Sequence, residues 1–220
     1  VTFDSATGGT GTITLNYAPS IVSLTGGSHT GTFNTANFNM TLSGSFTYSG
    51  TGVRSLTLGT STITTSGSWD LTTQTNLTFS GASATIIKSS SQNSSFISSG
   101  LTYGTVQMSG GLRGTGNTYG TFTYTTSSNS QCWVEAGGTH TVTGTCTFQG
   151  SSATNFGLIV GSGGGAGVMR NRGTYAFNAG TVVLNNVVIG DLVAGGAGSW
   201  TGTNVGNAGN CTGVTFTTAT

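Results

Sequence analysis

Charge is almost missing from this chain. Its 220 residues hold five Lys and Arg and four Asp and Glu, for a formal net charge of +1. The cations, Arg54, Lys88, Arg113, Arg170 and Arg172, are scattered, so they assemble no electrostatic footprint for nucleic acid or an anionic membrane. Nucleic acid is not an expected partner. The shortage of Lys and Glu also removes the usual guards of exposed strand edges, which predicts that edges are covered by neighbouring coils or other subunits. Proline occurs once, at Pro19. Cysteine occurs three times, at Cys132, Cys146 and Cys211, without a C-x-x-C pair or a Cys/His cluster. Zinc binding and thioredoxin-like redox chemistry are therefore not supported, no cofactor is expected, and buried free thiols are favoured over a Cys132–Cys146 disulfide. The most apolar stretch, residues 181–194, is broken by Asn185, Asn186 and Asp191 and is too short to span a bilayer as a helix. Membrane insertion is not expected. No segment carries a 3.6-residue apolar period, so helices are not predicted either.

What is present is a grammar of short strands. Apolar residues make up 34% of the chain and Gly contributes 39 residues, enough of each to favour order over low-complexity disorder. Runs such as SLTLG, STITT, NLTFS, ATIIK, GTFTYTT and THTVTGTCTFQG alternate apolar residues with Thr or Ser at period two. That is the pattern of strands with one buried face. The runs are separated by two to four turn residues and recur along the chain, which argues for repeated coils, each needing its neighbours to bury its apolar side. Residues 1–32 read as lead-in or capping strands, and residues 33–220 as the solenoid body, with a glycine-rich joint near residues 110–116. A β-sandwich or jelly roll shares these signals and stands as the alternative. Val1 is not an initiator Met and no secretion signal follows it, so a mature product or a fragment is expected.

The stretch RSLTLGTSTITTSGSWDLTTQTNLTFSGASATI resembles a module of phage tail, fibre and other virion-associated proteins and of bacterial extracellular surface proteins. SSFISSGLTYGTVQMSG is similar to that module's next coil. VEAGGTHTVTGTCTFQGSSATNFGLIVGSG and NNVVIGDLVAGGAGSWTGTNVGNAGNCTGVTF resemble its later and closing coils. The likeness covers most of residues 33–216 and implies a right-handed parallel β-helix, a virion or extracellular location, self-association as a homotrimer or larger assembly, and contact with other virion proteins or host-surface glycan. GSGGGAG stands where the family often has charged residues.

Few residues of the chain are candidates for chemistry. A glycosidase, as in tailspikes that cut their receptors, needs two carboxylates on one face. Only Asp4, Asp70, Glu135 and Asp191 exist; Asp70 and Glu135 form the one conceivable pair, while Asp70 and Asp191 sit in contexts where Asp accepts backbone N–H bonds at turns. FGLIVGSGGGAG lacks the Lys and helix of a phosphate loop and reads as a turn. His29 and His140 stand alone, as exposed or hydrogen-bonded strand residues. Among the aromatics Trp69, Tyr103, Tyr119, Tyr124, Trp133 and Trp200, Tyr124 and Trp133 are the candidate glycan contacts, whereas Trp69 and Trp200 read as corner fillers. Thr-x-Thr pairs recur (Thr12/Thr14, Thr62/Thr64, Thr121/Thr123, Thr139/Thr141/Thr143), but an ice-binding array needs a constant coil spacing and theirs wanders. The expected function is thus a structural phage protein, fibre, spike or decoration, without enzymatic activity; a bacterial adhesin or filament subunit comes second, and a glycan-cleaving enzyme or ice-binding protein third.

Overall fold

The computed structural model describes residues 10–27, 29–89, 94–126, 131–152, 156–162 and 173–217, with the backbone alone at Gln131 and Cys132. Among them are twenty strands, from Thr12–Thr14 to Gly202–Asn207, and no helix. Every pairing is parallel. That excludes the sandwich and jelly roll, whose sheets are antiparallel. The chain is a parallel β-helix.

Each coil contributes strands to three faces. Thr12–Thr14, Gly31–Asn34, Arg54–Thr57 and the start of Leu77–Lys88 stack on the first face. Ser20–Ile21, Met40–Leu42, Thr62–Thr65 and the end of Leu77–Lys88 stack on the second. Leu24–Thr25, Phe46–Thr47, Trp69–Asp70 and Ser95–Ile97 stack on the third. The pairing already runs through Thr12, within the segment read as a lead-in, and it passes residues 110–116 unbroken, because Gly111–Arg113 bridges the strands before and after it.

Alternation decides what goes inside. On the third face Leu24, Phe46, Trp69, Phe96, Leu112 and Val134 occupy successive register positions, and all are buried. Phe46 stacks on Trp69 with centroids 4.3 Å apart, and Trp69 on Phe96 at 6.2 Å. The second face sends in Met40, Ile63, Ile86, Val106, Phe122 and Cys146. Each such aliphatic or aromatic side chain, removed from water, contributes about 1.5–3 kcal/mol. One coil alone cannot bury its row, so stacking is the fold's driving force.

From the Leu77–Lys88 strand upward, the turn between first and second faces needs no loop. Long strands such as Thr102–Met108, Thr118–Thr125 and Thr139–Gln149 bend at Gly104, Gly120 and Gly144, and the last two pair with a register shift at the bend. A Cβ on Gly120 would stand 2.6 Å from the Gly104 carbonyl oxygen, and one on Gly144 2.5 Å from that of Gly120. Only glycine lets the backbones of successive corners approach so closely.

Candidate binding face

The two residues proposed to touch glycan lie inside the protein. Tyr124 shares its inward phase with Phe122, is fully buried, and donates its hydroxyl hydrogen to the Gly110 carbonyl. Trp133 alternates with the buried Val134, yet its ring folds over the bare surface of Gly111 and is only 7% exposed. Neither offers a ring to a sugar. Trp69, Tyr103, Tyr119 and Trp200 are buried as well. Trp69 and Tyr103 are joined by a Trp69 Nε1 to Tyr103 hydroxyl bond of 3.3 Å, while Trp200 Nε1 donates to the Gly195 carbonyl at 3.0 Å.

The carboxylates are spent on backbone. Asp70 accepts from the Thr72 N–H at 2.9 Å and from its hydroxyl. Glu135 Oε2 accepts from the Gly114 N–H at 2.7 Å. Asp191, with φ of 64° and a buried side chain, accepts from the Gly161 N–H at 3.3 Å and from Asn210 Nδ2 at 3.1 Å. Asp70 is thus the turn acceptor expected of it, whereas Asp191 accepts from the adjacent coil instead of from its own turn. Asp70 and Glu135 do share one outward column of the third face, with Ile97 and Arg113 between them. Three strand steps of about 4.8 Å separate them by about 14 Å, beyond the about 9.5 Å that inverting glycosidases reach. Asp4 and most of the glycine loop at residues 161–167 lie outside the described residues.

The isolated polar groups are enclosed too. Both histidines are buried, not exposed. His140 Nδ1 lies 3.4 Å from the Tyr119 hydroxyl, and burial pulls its pKa down to about 4. Arg54 is buried and donates to the Thr75 and Gly52 carbonyls at 2.8 and 3.2 Å and to that of Thr73, with its guanidinium 5.7 Å from the Tyr48 ring centroid. Lys88 points inward in the column of Thr65 and Met108, and its Nζ donates to the Ser109 carbonyl at 2.6 Å. It lines a shallow groove of about 480 Å³ with Ser89, Gln107, Thr126 and Gln149. The Cys146 thiol is buried, which raises its pKa and keeps it protonated. The Cys132 side chain falls outside the described set, so its pairing with Cys146 is not addressed. Among the described residues no group of three His, Cys, Asp or Glu side chains is placed to hold a metal ion.

The outside of the second face is ordered in a way that sequence spacing concealed. Thr62, Thr85, Thr105 and Thr121 stand in register one above another. The pairing of Phe122 with Cys146 puts Thr145 next in the column, and Thr181 follows. Beside it runs a second column of Thr41, Thr64, Ile87, Gln107, Thr123, Thr147 and Val183. Neither column holds a charged or aromatic side chain. No family model, curated protein or solved structure matches this chain.

Proposed function

We propose that the chain is a non-enzymatic structural module of a bacteriophage particle, a fibre, spike or decoration, working in a self-associated state such as a homotrimer outside the cell. The observation that carries this reading is the continuous parallel ladder. It runs from Thr12 to the bridge between Trp200 and Val214, filled by stacked side chains, with the described carboxylates committed to backbone N–H groups. A body of this kind supplies length and rigidity, and among the described residues Asp70 and Glu135 stand farther apart than the carboxylates of a glycosidase. Sequence resemblance points the same scaffold toward virions. The aromatic contacts assigned to Tyr124 and Trp133 are withdrawn from the proposal, so any host-surface contact belongs to other residues.

Peptide mapping by mass spectrometry of purified particles and of cell-surface fractions tests the assignment. Recovery at fixed stoichiometry in particles supports it; recovery in the cell-surface fraction alone replaces it with the adhesin or filament reading. Light scattering tests self-association separately, and a stable monomer at micromolar concentration removes the multimer from the proposal.

A further inference from the structure

On the outside of the second face the coil length changes at each step while the residue does not. Thr105 and Thr121 are neighbours across 16 residues of chain, and Thr145 and Thr181 across 36. Six successive rungs nonetheless place Thr in one column. Unequal corners have absorbed the variation so that the outer column stays in step.

We infer that this face binds ice. Parallel strands repeat at about 4.8 Å and alternate residues along a strand at about 6.6 Å, so the two columns form a near-rectangular net. Hexagonal ice presents rows of oxygens at closely similar repeats on its prism faces. Complete Thr-x-Thr pairs stand on the rungs of Thr62 and Thr64, Thr121 and Thr123, and Thr145 and Thr147. Each Thr offers a hydroxyl to the lattice and a methyl that gains by leaving liquid water. Its β-branched side chain is already restricted at χ1, so little rotamer freedom is lost on adsorption.

The composition of the face selects this occupant over others. A sugar surface calls for aromatic platforms, and neither column has one. A protein partner calls for buried aromatic or Arg anchors, also missing here. An anionic surface calls for cations, and the nearest, Lys88, points inward with its Nζ on the Ser109 carbonyl. The first face is less regular: its outward columns mix Thr12, Thr32 and Thr78 with Ser55, and Thr14, Thr57, Thr102, Thr118 and Thr141 with Asn34, Ser80 and Asn178, so no more than three successive rungs carry Thr there. The inference does not depend on the particle assignment.

The test uses the full chain. A dilute solution is frozen slowly onto a cold finger, and the protein trapped in the ice is compared with that left in the liquid; ice recrystallisation is followed in parallel. The wild type is expected to be enriched in the ice and to slow grain growth. Thr121→Tyr, in the middle of the net, is expected to raise the concentration needed at least tenfold. Thr141→Tyr, on the exposed outside of the first face, is expected to leave that concentration unchanged. Gln107→Thr completes a fourth Thr-x-Thr pair, with Thr105, and is expected to lower it, which keeps the test decisive even where Thr121→Tyr does not fold. A wild type excluded from ice overturns the inference. So does equal loss in Thr121→Tyr and Thr141→Tyr with unchanged circular dichroism, or retention on crystalline chitin or cellulose without retention in ice.

Discussion

The lower and upper halves of this solenoid solve the same problem by different means. From Gly31 to Lys88 the coils keep a 23-residue period, read directly from Asn37 accepting from the Thr60 N–H, Asn39 from that of Thr62 and Ser45 Oγ from that of Ser68. Above Ser95 the period falls to 16 residues, where Ser99 Oγ accepts from the Thr115 N–H and Asn117 Oδ1 from that of Leu101. It then widens until Thr139 lies beside Ala176. In the lower coils the corner after the first face is a short polar turn, with Asn37 at φ 66° and Gly59 at φ 53°. In the upper coils it is a bare glycine bend inside a continuous strand. The difference teaches that coil length is free at the corners, whereas inward and outward phase on a face is not.

The upper corner is the sharpest place to break. Gly120→Val puts branched carbon against the Gly104 carbonyl, a backbone group that cannot move without shifting a whole rung. We expect a loss of more than about 4 kcal/mol, or failure to fold, since severe backbone overpacking lies in the extreme tail of mutational effects. Gly27→Ala in the lower half meets nothing within 4 Å and is expected to stay within about 0.5 kcal/mol of the parent. Urea titrations of the two variants make the comparison. A well-folded Gly120→Val would mean that the stacked glycines are not what permits the loop-free corner.

The cores of the two halves are expected to respond alike despite their corners. Trp69→Ala removes the ring sandwiched between Phe46 and Phe96, and Phe148→Ala removes one packed edge-on against Phe177 at 5.4 Å. Each is expected to cost about 3–5 kcal/mol by the measured range for buried aromatics. Equal losses in the denaturation midpoints would show one continuous core; a much smaller loss at Phe148 would show that the irregular coils pack more loosely.

The upper half also carries a pH dependence that the lower coils do not owe to His140. Burial lowers the folded pKa of His140 to about 4 from an unfolded value of 6.5. The unfolded chain thus binds the proton more readily between these values, so stability rises with pH there. The contribution is complete above pH 6.5 and is lost as pH falls through about 4, amounting to about 3 kcal/mol. His140→Phe, stacked toward Phe177 at the same position, is expected to flatten the urea midpoint between pH 4 and 6.5. An unchanged slope would assign the acid sensitivity elsewhere.

Much of this architecture was legible in the chain. Period-two runs such as THTVTGTCTF announced strands with one wet side, and Ser-Trp-Asp announced the turn acceptor that Asp70 proves to be, whereas the Gly-Asp signal at Asp191 misses that its carboxylate accepts from the adjacent coil. Tyr124 was also readable, because it lies two residues from Phe122 and must share its inward phase. Trp133 was not: alternation with Val134 predicts an outward ring, and only the register that seats Gly111 beneath it explains its burial. The threonine columns were hidden for a related reason. Spacing along the chain measures the perimeter of a coil, corners included, while alignment on a face depends on register alone. His140 and Arg54 escaped because no sequence pattern says that a polar side chain will be enclosed with carbonyls or a phenol as partners.

The smallest expected effect separates structure from catalysis. Glu135→Gln keeps an oxygen able to accept from the Gly114 N–H and removes only the charge assistance, so a loss below about 1 kcal/mol is expected. Asp70→Asn likewise keeps an acceptor for the Thr72 N–H in a turn of the lower half. If the pair served a glycosidase, the double variant would abolish polysaccharide depolymerisation whatever it did to stability. With about 14 Å between them along the third face, we expect the parent to release no reducing ends from host polysaccharide and the double variant to be indistinguishable from it. Release of reducing ends by the parent, abolished in the double variant, would place a catalytic pair on the third face and end the purely structural reading of both halves.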